Sequence, residues 1–392
     1  MARRSYGKLV AYLAAINGDV AAAEDALSEA FVSALADWPK NGCPANPEAW
    51  LLAVARRKAI DNARRKKRGA EIVEQLESLQ ETSEMQDIPD RRLALMFACA
   101  HPAIEPGIRT PLMLQAVMGL TAQTIASAFL TSPATMGKRL GRAKEKIRQA
   151  GIPFRVPELE ELSERLDAVL NAVYAAFTEG WIDADDARCQ LTEEAIFLAR
   201  VMVELLPNEP ETHGLLALML HAESRRNARR GIDGEYVPLA NQNPSRWNVS
   251  MMAEAESLLH RASRLGLIGR FQLEAALQSA HVHRHRTAEN NWAQVVQLYD
   301  ALFAMTGSPV VVLNRAIAIG ELHGPAAGLE SIQAVAEDPR LKEYQPYWAV
   351  KAELLARAGS NSEARQAYEV AIGLESDPAV RRFLQRRQQA TI

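Results

Sequence analysis

Apolar side chains recur at helical spacing along almost all of this 392-residue chain, and the alternation typical of β-strands is scarce. Between residues 132 and 149, for example, the apolar positions Met136, Leu140, Ala143 and Ile147 are four, three and four residues apart. Alanine, leucine, glutamate and arginine, all good helix formers, dominate the chain. The pattern predicts an all-α protein. Residues 310–313 could form a short strand, but they lie inside a longer helical pattern.

Charge is distributed unevenly between the two halves. Residues 1–156 carry 22 Lys and Arg against 16 Asp and Glu, whereas residues 157–392 carry 23 against 32. This asymmetry predicts a polyanionic partner for the N-terminal part alone. No apolar run approaches the roughly 18 residues of a membrane span, and the N-terminus lacks the apolar stretch of a secretory signal. We therefore expect a cytoplasmic protein that has no membrane partner.

Residue patterns that would indicate catalysis or a metal site are missing from the sequence. Cys43, Cys99 and Cys189 form no CxxC pair, which argues against a disulfide framework or a zinc site and favours a reducing compartment. Residues 281, 283 and 285 are histidines, but they could share a metal only in an extended chain. No nucleophile–base pair, P-loop or GxGxxG is present. We expect no enzyme activity, no cofactor and no metal.

Helix signals divide the first 150 residues into three segments. In the first segment, residues 1–68, one helix follows Asp19 as N-cap and ends at Pro39, and a second begins at Asn46-Pro47. Residues 69–90 form a linker that carries seven Asp and Glu and no Lys or Arg. This linker is either a solvated tether or short polar helix, or a negatively charged strand that enters a basic channel of a partner.

Residues 91–150 are predicted to form four short helices, of which the second opens at Thr110-Pro111 and the last two form a helix-turn-helix. The turn is residues 130–132, and the final helix begins at Ser132-Pro133. Its apolar positions face the core, so its polar residues lie outside or on the flanks. Those proposed to contact DNA are Thr135, Lys138, Arg139, Arg142, Lys144 and Lys146.

Residues 157–392 are predicted to form a series of helical hairpins. Near the C-terminus the offsets approach those of a tetratricopeptide repeat, namely Trp348, Ala352, Leu355, Gly359, Ala364, Tyr368, Ala371 and, two residues late, Pro378. One such repeat cannot stand alone, so the rest of this region should also be repeat-like.

Two N-terminal motifs resemble those of the extracytoplasmic-function group of bacterial sigma factors. They are GDVAAAEDALSEAF at residues 18–31 and NPEAWLLAVARRKAIDNARR at residues 46–65. Together with the helix-turn-helix that follows, they are strong support for that resemblance. The whole chain is similar to a subgroup with a C-terminal tetratricopeptide-like extension, on phrases such as LALMFACAHPAI (residues 93–104) and NPSRWN (residues 243–248).

The resemblance implies a sigma domain 2 at residues 1–68, a sigma domain 4 at residues 91–150 and an extension at residues 157–392. It implies contacts with core RNA polymerase by Glu24, Asp25 and Glu29. It implies contacts with the promoter −10 region by Asn41, Asn46, Arg57, Lys58, Asp61, Asn62, Arg64 and Arg65. The helix-turn-helix would bind the −35 element, where Lys138, Arg139 and Arg142 are candidates for base contacts.

The sequence thus predicts a sigma factor whose partners are core RNA polymerase and promoter DNA. A protein or small-molecule regulator would act at the C-terminal extension. Two alternatives stay open: a one-component helix-turn-helix regulator with a helical sensor domain, and a helical-repeat scaffold for protein partners.

Overall fold

A computed structural model of the chain describes residues 2–65, 88–129, 131–182 and 186–391. These residues form eighteen α-helices and no β-strand, which confirms the all-α prediction. The chain divides into two compact units, residues 1–202 and residues 203–392. Most of the predicted acidic linker, residues 69–87, lies outside the described residues.

The first unit contains nine helices within the described residues, the last of which continues into the second unit. They are α1 (Ala2–Asn17), α2 (Val20–Asn41), α3 (Pro47–Arg65), α4 (Arg92–Cys99), α5 (Pro106–Ala116), α6 (Ala122–Ala128), α7 (Pro133–Gln149), α8 (Leu159–Ile182) and α9 (Asp186–Leu205). Helices α4 to α7 match the four short helices expected between residues 91 and 150. The assignment of α6 and α7 as a helix-turn-helix stays a prediction.

Three predicted helix starts are confirmed by the side chains that cap them. The Asp19 carboxylate accepts the backbone N–H of Ala22 at 3.0 Å and begins α2. Asn46 Oδ1 accepts the N–H of Ala49 at 3.1 Å and begins α3. Ser132 Oγ accepts the N–H of Thr135 at 3.2 Å and begins α7. Each cap satisfies a backbone donor that has no partner within its helix.

The predictions for two prolines are wrong. Pro39 does not end α2, which continues to Asn41 and stops at Gly42, whose φ is 85° and whose N–H bonds Trp38 O at 3.0 Å. Pro111 does not open α5, because the helix begins at Pro106 and runs through it. A proline inside a helix cannot donate to the carbonyl four residues earlier. For Pro111 that carbonyl belongs to Gly107, and Arg139 Nη2 donates to it at 3.3 Å instead.

The predicted sigma domains pack against each other within the first unit. Helix α1 contacts α4 and α5, and α2 contacts α7. Gly7 of α1 lies so close to the turn after α5 that a Cβ there would be 1.9 Å from Val117 O. Helix α8 packs on α4 and α5, so the first unit extends past residue 157, where the extension was expected to start.

Nine α-helices lie wholly within the described part of the second unit. They are α10 (Pro210–Glu223), α11 (Val249–Arg264), α12 (Arg270–Thr287), α13 (Trp292–Thr306), α14 (Pro309–His323), α15 (Pro325–Gln333), α16 (Gln345–Arg357), α17 (Asn361–Leu374) and α18 (Pro378–Gln389). Residues 310–313 belong to α14 and are therefore helical. None of the described helices combines the length and apolar character needed to cross a membrane.

Packing at the C-terminus uses the residues that carry the tetratricopeptide offsets. Ala352, Leu355, Ala364, Tyr368, Ala371 and Leu384 are buried in one apolar cluster of α16, α17 and α18. Trp348 is partly buried against the same cluster. The small side chains let the paired helices approach, and Tyr368 fills the space between them. The assignment of the whole region to that repeat family stays a prediction.

Candidate nucleic-acid and protein interface

One face of α2 is exposed and combines acidic with apolar side chains. Asp25 and Glu29 are exposed, and 67% of Val32 and 77% of Leu35 are accessible to solvent. These positions are separated by four, three and three residues, so they form a single stripe along the helix. We call it the α2 stripe. Leu27 on the opposite side of the helix is buried.

Sequence reasoning missed Val32 and Leu35, although the signal was present in the spacing. An apolar residue seven or ten positions after Asp25 occupies the same helix face as that aspartate. Large apolar side chains exposed beside charges are typical of surfaces that bind another protein. The α2 stripe is therefore a candidate protein-binding surface.

Helix α3 presents part of the predicted promoter-contacting set. Arg57 and Asp61 are exposed, and Lys58 Nζ lies 3.4 Å from Glu29 Oε2 on α2. The neighbouring Arg56 is instead buried and donates to Tyr12 Oη at 2.9 Å. The described residues include the backbone but not the side chains of Asn62, Arg64 and Arg65.

Two asparagines predicted to contact the −10 region lie on either side of the α2–α3 turn. Asn41, the last residue of α2, is exposed and donates to Asp37 Oδ1 at 2.7 Å. Asn46 is exposed and uses its side-chain oxygen as the cap of α3. While the side-chain oxygen accepts this cap bond, the amide nitrogen of Asn46 can donate to a base.

Helix α7 presents Thr135, Lys138, Arg142 and Lys146 on its exposed face. No hydrogen bond or ion pair engages the charged groups of Lys138, Arg142 and Lys146 within the part of the chain that the structure describes. Arg142, Lys146 and Arg139 line a cavity of about 220 Å³ beside the start of α5. This face can accept phosphate oxygens or the acceptor atoms of bases.

Arg139 is turned partly away from that face. Its guanidinium donates to Gly107 O and lies 3.5 Å from Glu105 Oε1, both at the start of α5. Arg148 is also engaged, in an ion pair with Glu145. Both arginines must therefore exchange a protein acceptor for a nucleic-acid acceptor if they contact DNA.

The prediction that Lys144 lies outside or on a solvated flank is wrong, because only 8% of it is exposed. Lys144 follows the buried Leu140 by four residues, which places it beside the apolar face of α7. Helix α2 covers that position, and Lys144 Nζ contacts Glu24 Oε2 at 2.5 Å. A residue predicted to contact DNA is thus paired with one predicted to contact polymerase.

The Glu24–Lys144 pair is only partly satisfied. Burial raises the pKa of Glu24, and the neighbouring Lys144 charge opposes that shift. Glu24 Oε1 is buried and finds no hydrogen-bond partner among the residues that the structure describes. Because desolvation offsets much of the attraction within a buried ion pair, this contact can join the two helices without making them hard to separate.

Two family models match parts of the chain. The sigma-70 region 2 model matches residues 1–69, which contain α1 to α3. The family of unknown function DUF6596 matches residues 165–263, from within α8 into α11. An uncharacterized protein of Rhizobium meliloti (strain 1021) is 37% identical over 369 residues, which is 91% of this chain and 86% of that protein. No solved structure matches the chain.

Proposed function

The chain belongs to the same family as the Rhizobium meliloti protein and begins with a sigma-70 region 2, and from this premise we propose that it is a sigma factor of the extracytoplasmic-function type. It binds core RNA polymerase and directs that enzyme to specific promoters. The observation that carries the proposal is the region 2 match over α1 to α3, the same helices that expose the α2 stripe and Arg57 of α3. Sigma-70 family proteins are regulators without enzymatic activity, and they work in the cytoplasm.

The α2 stripe is the proposed contact with core polymerase. Val32 and Leu35 supply apolar area for the centre of an interface, and Asp25 and Glu29 supply charge at its edge. Interfaces commonly place apolar side chains centrally and charged side chains at a solvated rim. Charge at the rim mainly fixes orientation and speeds association.

The promoter contacts are proposed for α3 and α7. Arg57 contacts phosphates beside the opened DNA strand of the −10 region. Asn41 and Asn46, near the α2–α3 turn, donate hydrogen bonds to bases. On α7, Lys138 and Arg142 enter the major groove, where arginine and lysine donate to guanine acceptors. Lys146 binds a phosphate.

The closed packing of the first unit is the proposed polymerase-free form. Glu24 belongs to the helix that meets polymerase, and Lys144 belongs to the helix that meets the −35 element. Their pair holds those two helices together, and we propose that it opens when the chain passes from this form to the polymerase-bound one. Residues 203–392 are the proposed site of regulation by a protein or a small molecule.

Core binding tests the function directly. We expect the Asp25→Lys, Glu29→Lys double variant to bind sigma-free core polymerase at least tenfold more weakly than the natural chain, because it reverses charge on the α2 stripe. Fluorescence anisotropy of labelled protein titrated with core measures the affinity. The control is Glu363→Lys, Glu369→Lys, which reverses two exposed charges on α17.

Equal affinities of the two double variants would reject the α2 stripe as the polymerase contact. Absence of any binding to core, with specific binding of DNA by the chain alone, would identify a one-component regulator instead. Binding of neither would favour the protein-interaction scaffold.

A further inference from the structure

The connection between α11 and α12 exposes a group of apolar side chains. Leu265, Leu267 and Ile268 are 36%, 69% and 71% accessible to solvent. Single exposed apolar side chains are ordinary on a protein surface, whereas three within four residues form a concentrated apolar patch. Patches of this kind usually mark a surface that another molecule covers.

Two unpaired arginines lie beside this patch. Arg261 and Arg264 are in the last turn of α11, and both are exposed. Neither guanidinium takes part in an ion pair or hydrogen bond within the described part of the chain. Residues 257–273 contain no Asp or Glu. We call Arg261, Arg264, Leu265, Leu267 and Ile268 the α11 knob.

Hydrogen bonds hold the α11 knob in one conformation. The side-chain amide of Gln272 donates to Leu267 O at 2.8 Å. The Glu211 carboxylate of α10 accepts the backbone N–H groups of Phe271 and Gln272 at 2.9 and 3.1 Å, and so fixes the start of α12. A surface that is already ordered loses little conformational entropy when it binds.

The chemistry of the α11 knob fits a protein partner better than a lipid surface. Its cations are arginines, which are enriched in protein interfaces, whereas lysine is depleted there. It carries no Trp or Tyr, the side chains that are enriched at the level of lipid headgroups. The partner should therefore offer apolar side chains next to carboxylates.

The α2 stripe has this complementary composition. Val32 and Leu35 are its exposed apolar side chains, and Asp25 and Glu29 are its exposed carboxylates. Asp25 forms no ion pair among the described residues, and Glu29 lies 3.4 Å from Lys58 Nζ. In both surfaces the charged residues precede the apolar ones along the chain. One relative orientation therefore brings guanidinium groups to carboxylates and apolar groups to apolar groups.

We propose that the α11 knob of one copy of the chain binds the α2 stripe of a second copy, and that two copies form a two-fold dimer. Each chain of such a dimer supplies one knob and one stripe, so the contact forms twice. Burial of the apolar side chains drives the association, and the ion pairs fix its orientation. The first contact raises the effective concentration for the second, which strengthens the dimer beyond either contact alone.

The dimer does not depend on the sigma-factor function, because self-association is measured with the chain alone. It adds regulation to that function, since the α2 stripe is also the proposed polymerase contact. A chain whose stripe is covered by a second copy cannot bind polymerase there, so the two associations compete. Either proposal can fail without the other.

Sedimentation velocity of the full-length chain over a concentration series tests the dimer. The natural chain should pass from monomer to dimer as its concentration rises. The double variants Asp25→Lys, Glu29→Lys and Arg261→Glu, Arg264→Glu should each dissociate at least tenfold more readily, because each places like charges in both contacts. A natural chain that stays monomeric at every concentration would overturn the proposal.

Mixing the two double variants separates a lost contact from a damaged fold. In a dimer of one chain of each kind, every stripe again faces a knob of opposite charge, so the equimolar mixture should regain the affinity of the natural chain. Glu363→Lys, Glu369→Lys reverses two exposed charges on α17 and should dimerise as the natural chain does. A mixture that remains as weak as its two components contradicts the pairing of knob and stripe.

Discussion

Individual cations of α7 differ in how available they are to nucleic acid. Lys144 is paired with Glu24, Arg139 donates to Gly107, and Arg148 is paired with Glu145. Arg142, in contrast, lies exposed at the mouth of a cavity and is engaged by none of the described residues. Helical spacing predicted which positions avoid the core. It could not predict which cations the rest of the fold would engage.

Arg142→Gln should weaken binding of promoter DNA by the polymerase complex roughly tenfold, corresponding to about 1–3 kcal/mol for a lost base contact. The measurement is a titration of labelled promoter fragment with the assembled complex. Arg148→Gln is the matched control, because that arginine already has Glu145 as a partner, and it should change the affinity less. Equal losses for the two variants would contradict the distinction between exposed and engaged cations.

At the scale of helices, local chemistry determined what could be predicted. Caps such as Asp19 and Ser132 were predicted correctly, because they satisfy backbone donors within three residues of themselves. The positions of Pro39 and Pro111 within their helices were not, because a helix that is held by packing tolerates one missing hydrogen bond. The Glu24–Lys144 pair joins residues 120 positions apart, and no pattern within α2 or α7 indicates it.

Glu24→Gln should increase the affinity of the polymerase-free chain for DNA about fivefold, equivalent to roughly 1 kcal/mol. The substitution removes the charge that holds Lys144 and preserves the shape of the side chain. Binding is followed by anisotropy of a labelled duplex. Asp25→Asn is the control, because it changes the charge of α2 equally at an exposed position.

A steric variant tests the same packing without altering charge. Gly7→Ala places a methyl group against Val117 O and should separate α1 from the turn after α5. It should raise DNA affinity in the same direction as Glu24→Gln. An effect of Glu24→Gln no greater than that of Asp25→Asn would show that the pair does not restrain the first unit.

For the whole molecule, the resemblance predicted an extension that starts at residue 157, whereas the first compact unit ends at Met202. Helices α8 and α9 follow the expected boundary at residue 157, yet α8 packs with α4 and α5, and both helices belong largely to the first unit. Arg92 of α4 is buried, and its guanidinium pairs with Glu194 of α9. The repeat-like pattern of residues in the sequence could not distinguish helices that stack on each other from helices that cover the preceding domain.

A fragment of residues 1–202 should unfold in one cooperative transition, whereas a fragment of residues 1–156 should melt lower by roughly 10 °C or more. The shorter fragment exposes the apolar surface that α8 covers and removes the Glu194 partner of Arg92. Circular dichroism during heating makes the comparison. Equal melting temperatures would mean that α8 and α9 contribute nothing to the first unit.

The Glu24–Lys144 contact has a thermodynamic consequence for initiation. Suppose that polymerase and promoter each bind only the arrangement in which the Glu24–Lys144 contact is broken. The first of them to bind then supplies the free energy of opening, and the second binds a chain that is already open. The two affinities are then linked by one coupling factor, which must be the same in both directions. Weak promoters would gain from this linkage, because polymerase-bound chains recognise them with an affinity that free chains lack. The strength of one partly buried ion pair would thus set how strictly DNA binding depends on polymerase.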